Sequence, residues 1–361
     1  MRNRLSVSPF AGRRFNTLAQ NGTQPYGKII PIDGLVKGKG TDLTNVLRLQ
    51  KWSKKKLICQ TMMLALVDVA NSRGDTERAD SYWNTFHCFQ KIKSEDGRLY
   101  GDYCKNRFCP VCCGIRKAEI LLRYLPVLQT WESPFFLTLT VKSVTADKLD
   151  MRINEMFLLL RRIIAKHRKQ AIRGKGFRLV GIRSFECNFN PKKKSYNPHF
   201  HIILQNLNVA DSLRTDWIRE GRKLWGQHAI SKAAQNNVRV RDLEDCLVEI
   251  LKYSSKIFTD PDIEQSKRGG KSPLLICVEA YDTIISAMKG QRIFDRFGFN
   301  LPHQSKKVTS ISVLNQYKEW KYDLNYSDWL EVDGALTLSG YIAPIELRTL
   351  LKDSISFRND T

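Results

Sequence analysis

The chain reads as an α+β protein, an antiparallel sheet with helices on one face, preceded by a helical, cysteine-rich module. Three observations predict this. Period-two segments at residues 135–140, 177–189, 199–204 and 238–241 are interleaved with segments of helical period. Their order is strand, helix, strand, strand, helix, strand, helix, which suits an antiparallel sheet covered on one side. Five of the nine cysteines crowd between positions 88 and 113, ahead of the first of these strands.

Length and charge narrow the class. At 361 residues the chain has room for two domains or three, and 42% hydrophobic content supports real cores. Lys and Arg number 59 against 36 Asp and Glu, a net charge of +23, which argues for a polyanionic partner such as nucleic acid. No segment approaches the roughly 20 consecutive apolar residues that a membrane span needs. Arg2 and Arg4 have no apolar stretch behind them, so no secretory signal is expected. A cytoplasmic protein is therefore expected, in which thiols stay reduced and clustered cysteines hold metal rather than disulfides.

Residues 1–44 are rich in Gly, Asn, Arg, Pro and Lys without a sustained period and are expected to form a flexible basic arm. Residues 45–130 form the helical module, with Leu57, Met62, Leu64, Leu66 and Val67 available for a core. Within it, Cys104, Cys109 and Cys112 have Cys-x4-Cys-x2-Cys spacing, which bends the chain so that three thiolates converge. Cys88 supplies a fourth from a neighbouring element, with His87 and Cys113 as rivals, and four ligands would close a structural Zn²⁺ site. Lys105, Arg107, Arg116 and Lys117 surround it and are candidate contacts to DNA phosphates.

Residues 131–260 carry the sheet. On the first strand, Phe135, Leu137 and Leu139 face a core and leave Thr138 and Thr140 on the other side. A helix follows, capped by Thr145, with a basic end at Lys166, His167, Arg168 and Lys169 that is a candidate phosphate rail. Farther on, His199 and His201 point to one face of a strand while Phe200, Ile202 and Leu204 point to the other. With Lys193 and Lys194 at the centre of the hairpin turn, Glu186 falls opposite His201 and Asn188 opposite His199. Two imidazoles and a carboxylate with open positions suit Mg²⁺ or Mn²⁺ bridging to phosphate, although such a set also holds zinc. A further amphipathic helix is expected with Asp211 at its cap.

The helix at residues 242–258 presents Glu249, Lys252, Tyr253 and Lys256 on one face and Leu243, Leu247, Ile250 and Leu251 on the other. A phenol, a carboxylate and two ammonium groups together suit phosphoryl chemistry. Residues 261–273 read as a linker or loop. Residues 274–361 read as an α/β region that partly completes the sheet domain, with a helix near residues 278–289 ended by Gly290.

With these pieces in order the chain resembles the rolling-circle replication initiators of small bacterial plasmids, within the wider HUH endonuclease superfamily. The matching stretches are CKNRFCPVC ending at Cys112, FLTLT ending at Thr140, YNPHFH ending at His201 and EILKYSSK ending at Lys256. The resemblance implies a ferredoxin-like or RRM-like sheet and a single-strand DNA endonuclease and strand transferase. Tyr253 matches the nucleophile that forms a 5′-phosphotyrosine. Glu249 matches the carboxylate acting at termination, and His199 and His201 match the histidine pair, with Glu186 as third ligand. The implied partners are plasmid origin DNA, as duplex or hairpin and as single strand, and a host helicase and polymerase. A transposase or relaxase of the same superfamily is the alternative enzyme, and a non-catalytic zinc-dependent DNA-binding regulator the alternative of another class.

Overall fold

The computed structural model describes residues 30–31, 42–95, 98–251, 273–302, 318–334 and 336–348, residue 346 excepted. The chain enters with β1 (Ile30–Pro31), then two long helices, α1 (Asp42–Ser72) and α2 (Thr76–Phe86), and a hairpin of β2 (Lys91–Glu95) and β3 (Arg98–Gly101). Helix α3 (Pro110–Leu128) leads to β4 (Phe135–Thr140), α4 (Ala146–Ile172), β5 (Gly181–Asn190), β6 (Ser195–Leu204), α5 (Leu207–Trp225), β7 (Asn237–Arg239) and α6 (Leu243–Ile250). The last elements are α7 (Pro273–Ala287), β8 (Phe294–Phe297), β9 (Lys318–Asp323) and β10 (Asp328–Glu331).

Two five-stranded antiparallel sheets result, ordered β1-β3-β2-β9-β10 and β7-β4-β6-β5-β8. In the second sheet, β4 alternates as its sequence requires, with Leu137 and Leu139 fully buried. They share a core with Phe185, Phe200 and Ile202, against which α4 packs Ile153, Met156, Phe157 and Leu160. Phe157, Phe185 and Phe200 meet with ring centroids 4.8 to 5.1 Å apart, an aromatic contact that fixes α4 over the centre of the sheet. Helix α5 joins α4 on this side through Leu213 and Trp217.

The opposite face is not wholly open. Ile182 and Ile203, two register positions from the histidines, are buried against Tyr124 and Leu128 of α3 and Leu247, Ile250 and Leu251 at α6. Helices thus cover most of one face and one end of the other. The one-sided arrangement expected above is corrected there, because those two isoleucines give that end an apolar surface which must also be buried.

Three further expectations shift. The β5–β6 hairpin pairs Glu186 with His199, Ser184 with His201 and Asn188 with Asn197. The strands run on to Asn190 and Ser195, so the turn is Pro191–Lys194, with Lys194 at φ 46°, and the register moves by two residues. An even shift keeps every side chain on its face, so Glu186 still faces the same way as both histidines. Helix α5 starts four residues before Asp211. Its cap is Asn206, whose side chain accepts the Val209 N–H, while Asp211 accepts from Asn237. The strand expected at residues 238–241 is β7, at Asn237–Arg239.

The first sheet draws on both ends of the chain. Strand β9 pairs with β2, and Trp329 of β10 donates to the Phe89 carbonyl at 2.8 Å. Buried Asp328 accepts from Ser53 of α1 and from the Ser339 N–H. Helix α7 connects this module to the second sheet. Its fully buried Asp282 accepts Tyr82 at 2.6 Å and ion-pairs with Arg73 and Arg78, while α7 also packs on α4 and β5. Among the described residues no helix is long and apolar enough to cross a membrane.

Candidate functional site

Two clusters of metal-ligating side chains form among the described residues. In the first, the ligand atoms of Cys88, Cys104, Cys109 and Cys112 all lie within 4.8 Å of one another. Cys88 follows α2, Cys104 follows β3, Cys109 is the N-terminal cap of α3 and Cys112 is in its first turn. Pro110 at the first helical position starts α3 sharply, which turns Cys109 and Cys112 toward the other two. Lys105 takes φ 57°, and the Cys104 and Asn106 N–H groups donate to the sulfurs of Cys88 and Cys104 at 3.4 Å. These are outer-sphere bonds that stabilise thiolate charge.

The rivals for the fourth position are engaged elsewhere. The Cys113 thiol donates to the Arg107 carbonyl at 2.8 Å, and the His87 ring packs with Trp83 and Phe86. Sulfur hydrogen bonds, first from Cys104 and then from Cys112, Cys59 and Cys88, hold the Cys109 thiol well below the ordinary thiol range. The same sharing pushes the Cys88 thiol up. Four sulfurs competing for shared protons form a donor set that fits a soft divalent metal. Sequence reasoning passed over two buried groups beside it, Cys59 and Lys56 of α1. The Lys56 ammonium donates to the carbonyls of Phe86 and Cys88. An isolated Lys and Cys within a helical pattern carry no spacing signal that would have marked them.

The second cluster is Glu186, His199 and His201 on the face of β5 and β6 opposite the α4 core. The two Nε2 atoms are 3.1 Å apart, and the Glu186 Oε2 is 3.3 Å from that of His201 and 3.7 Å from that of His199. Glu186 and His199 are buried and His201 is half-buried. Each imidazole is oriented from behind. His199 Nδ1 donates to the Asn197 carbonyl at 2.9 Å, and Thr138 Oγ1 lies 3.3 Å from His201 Nδ1. With the proton on Nδ1 of each ring, both Nε2 lone pairs face the carboxylate, the arrangement that a shared cation requires. Three donors leave positions for other ligands, and imidazole and carboxylate together fit a harder divalent ion. Sequence reasoning placed Thr138 on this face; its bond to the ring emerges from the strand register.

Phe136, one step along β4 from Thr138, has its ring 5.4 Å from that of His201 and also packs against the cluster containing Leu247, Ile250 and Leu251. Helix α6 therefore approaches the histidines on their own face, with Glu249 half-buried near its end. Lys252, Tyr253 and Lys256 lie outside the described residues. Of the basic residues around the cysteines, Lys105 is exposed with its ammonium 5.9 Å from the Tyr103 ring centroid, and Arg116 donates to the Lys105 carbonyl at 3.0 Å. Arg107 donates instead to the Gln291 carbonyl, tying the cysteine knuckle to the loop before β8, and Lys117 is half-buried on α3.

The family model described as "Replication protein" matches residues 98–301, more than half of the chain. The chain belongs to this replication protein family. The match takes in Cys104, Cys109 and Cys112, the Glu186–His199–His201 cluster and α6. A curated relative named "Protein rep" from Staphylococcus aureus is 32% identical over 191 residues, which is 48% of this chain and 79% of the relative. Proteins of the same name from Streptococcus pneumoniae and Bacillus amyloliquefaciens are 31% and 30% identical. They match over 43% and 33% of this chain and 49% and 36% of their own lengths. No solved structure matches.

Proposed function

We propose that this replication protein initiates rolling-circle replication of a plasmid by nicking one strand of origin DNA, and that it rejoins the strand at termination. The observation that carries the reading is the meeting of Glu186, His199 and His201 on the sheet face that α6 also covers. Leu251 is buried beside Ile203, the residue next to His201 on that face of β6, and Tyr253 follows Leu251 by two residues. Same-face neighbours on a strand are about 6.7 Å apart, so Leu251 is a short step along that face from the histidines.

A Mg²⁺ or Mn²⁺ ion held by His199, His201 and Glu186 would supply charge withdrawal at the scissile phosphate. Tyr253 attacks the phosphorus through its phenolic oxygen. The P–O3′ bond breaks as the Tyr–O–P bond forms, giving a 5′-phosphotyrosine and a 3′-oxygen that takes up a proton and can prime a polymerase. A free phenol has a pKa of about 10, so Lys252 and Lys256 favour the phenolate. One phosphodiester replaces another, so resealing needs no nucleotide cofactor. Glu249, four residues before Tyr253 in the sequence, acts as the general base that admits water or a second strand at termination. Cys88, Cys104, Cys109 and Cys112 hold a structural Zn²⁺, and Lys105, Arg116 and Lys117 contribute to duplex contact beside it. A host helicase and polymerase would complete the reaction sequence in the cytoplasm.

Oligonucleotides tiling the plasmid that encodes the protein, incubated with Mn²⁺ and resolved under denaturing conditions, test the reading. A covalent adduct that disappears in Tyr253→Phe is the expected result. Tight binding without cleavage by the unaltered protein overturns it in favour of a DNA-binding regulator.

A further inference from the structure

On the face of the second sheet away from the histidines, a cleft of about 430 Å³ opens between α4 and β8. It adjoins a smaller cavity of about 260 Å³, and both are lined by Ile164 and Arg168. Together they make a furrow whose cations are all arginine. Arg161 and Arg168 form one wall, Arg292 the rim before β8, and Arg178 the far end, with Arg183 at the floor. Arg161, Arg168, Arg178 and Arg292 are exposed. Neither Arg161 nor Arg168 has an acidic partner among the described residues, and Asp295 is the one carboxylate lining the furrow.

Arg183 forms the buried floor of the furrow. It is 6% exposed, lies over the rings of Phe157 and Phe200, and donates to the Arg292 carbonyl at 2.9 Å. Burial, together with repulsion from Arg161 and Arg292 and against the pull of Asp295, brings its pKa down to about 10. Asp295 pairs with both Arg183 and Arg292, so one carboxylate faces several guanidinium groups and positive charge in this furrow exceeds what the lining neutralises.

We propose that this furrow is a second DNA site, which grips backbone phosphates of duplex DNA on the face opposite the Glu186–His199–His201 cluster. This rests on the replication reading above. Guanidinium groups match phosphate oxygens in bidentate geometry, which a lysine surface does not. The cations are spread over two adjoining cavities, which favours an extended polyanion over a compact free phosphate. Arg161 and Arg168 are two helical turns apart, about 10.5 Å, far enough for the two guanidinium groups to reach different phosphates of one backbone. Strand β8 is the edge of its sheet, so the furrow opens at the rim, and Arg107 ties that rim to the cysteine knuckle. The loop at the furrow's rim is therefore anchored to the cysteine knuckle.

The test compares two triple variants of the full chain. R161Q/R168Q/R292Q removes three of the four exposed cations of the furrow and leaves Arg178; K148Q/K223Q/K289Q removes the same charge from scattered exposed positions. Binding to a fluorescein-labelled duplex of arbitrary sequence is followed by anisotropy across a salt series, with thermal melting to confirm that both fold. Every phosphate that the protein no longer neutralises lowers the slope of log K against log salt by about 1. The furrow triple is expected to lose roughly 2 to 3 from that slope and the scattered triple less than about 1. Equal losses in the two triples overturn the proposal. So does a furrow triple that keeps the wild-type slope while losing affinity for inorganic pyrophosphate, which would mark a small-anion pocket. Arg161→Glu, a single reversal, repeats the test should the triple melt early. Mn²⁺-dependent nicking of a single-stranded oligonucleotide is expected to survive in the furrow triple. Failure of the unaltered protein to nick would count against the nickase reading and leave the slope comparison to decide the furrow.

Discussion

The two metal-ligating clusters solve opposite problems with the same device, side chains brought together by tight backbone turns. The cysteine cluster gathers four soft donors, three of them buried, and leaves no position for another ligand. The Glu186–His199–His201 cluster gathers three donors around a half-buried histidine and leaves room. A closed soft set commits its binding energy to folding, whereas an open set keeps part of the coordination sphere for substrate. The second sheet can hold its open set because its rigidity comes from elsewhere, from the Phe157–Phe185–Phe200 contact on the other face. The knuckle is built from a short hairpin and a helix start packed against α1, and the four sulfurs themselves join these pieces.

That contrast can be broken by experiment. Cys109→Ser should have the largest effect. Structural zinc binding is worth on the order of 10 kcal/mol in small modules, so loss of stoichiometric metal and of cooperative melting is expected. A variant that keeps both its metal content and its melting temperature would show that the knuckle does not need the ion. His201→Ala should act in the opposite sense, lowering Mn²⁺-dependent nicking by more than about 100-fold, beyond what outer-sphere changes cost, with little change in melting. A large drop in melting temperature there would mean that the second cluster is structural too. Thr138→Val sharpens the comparison with the smallest change. It removes the partner of His201 Nδ1 and should weaken metal affinity by roughly 10- to 100-fold, read by titrating nicking against Mn²⁺. Unaltered metal dependence would show that β4 does not orient the ring.

Much of this was legible from local pattern. The alternation of Leu137 and Leu139 with Thr138 and Thr140 survives in β4 because a strand has only two faces. Cysteine spacing was informative because two and four intervening residues leave little freedom for three thiols near a helix start. The hairpin register was misread by two residues because the sequence does not say where a Lys-rich turn closes. The residues of the furrow were also hidden. Of them, only Arg168 drew notice, as part of a basic helix end, since Arg161, Arg183 and Arg292 are far apart in the chain and share no motif.

What the sequence determined by itself was the identity and facing of the donors, because periodicity and short-range spacing are set by backbone geometry within one element. Only the tertiary structure decided which elements share a face. It set α6 and part of α3 across one end of the histidine side, paired β9 with β2, and laid β8 beside α4 to form an arginine furrow. Such contacts join residues tens to hundreds of positions apart. They are settled by the burial of apolar surfaces such as Ile182 and Ile203, which no local pattern assigns to a particular partner.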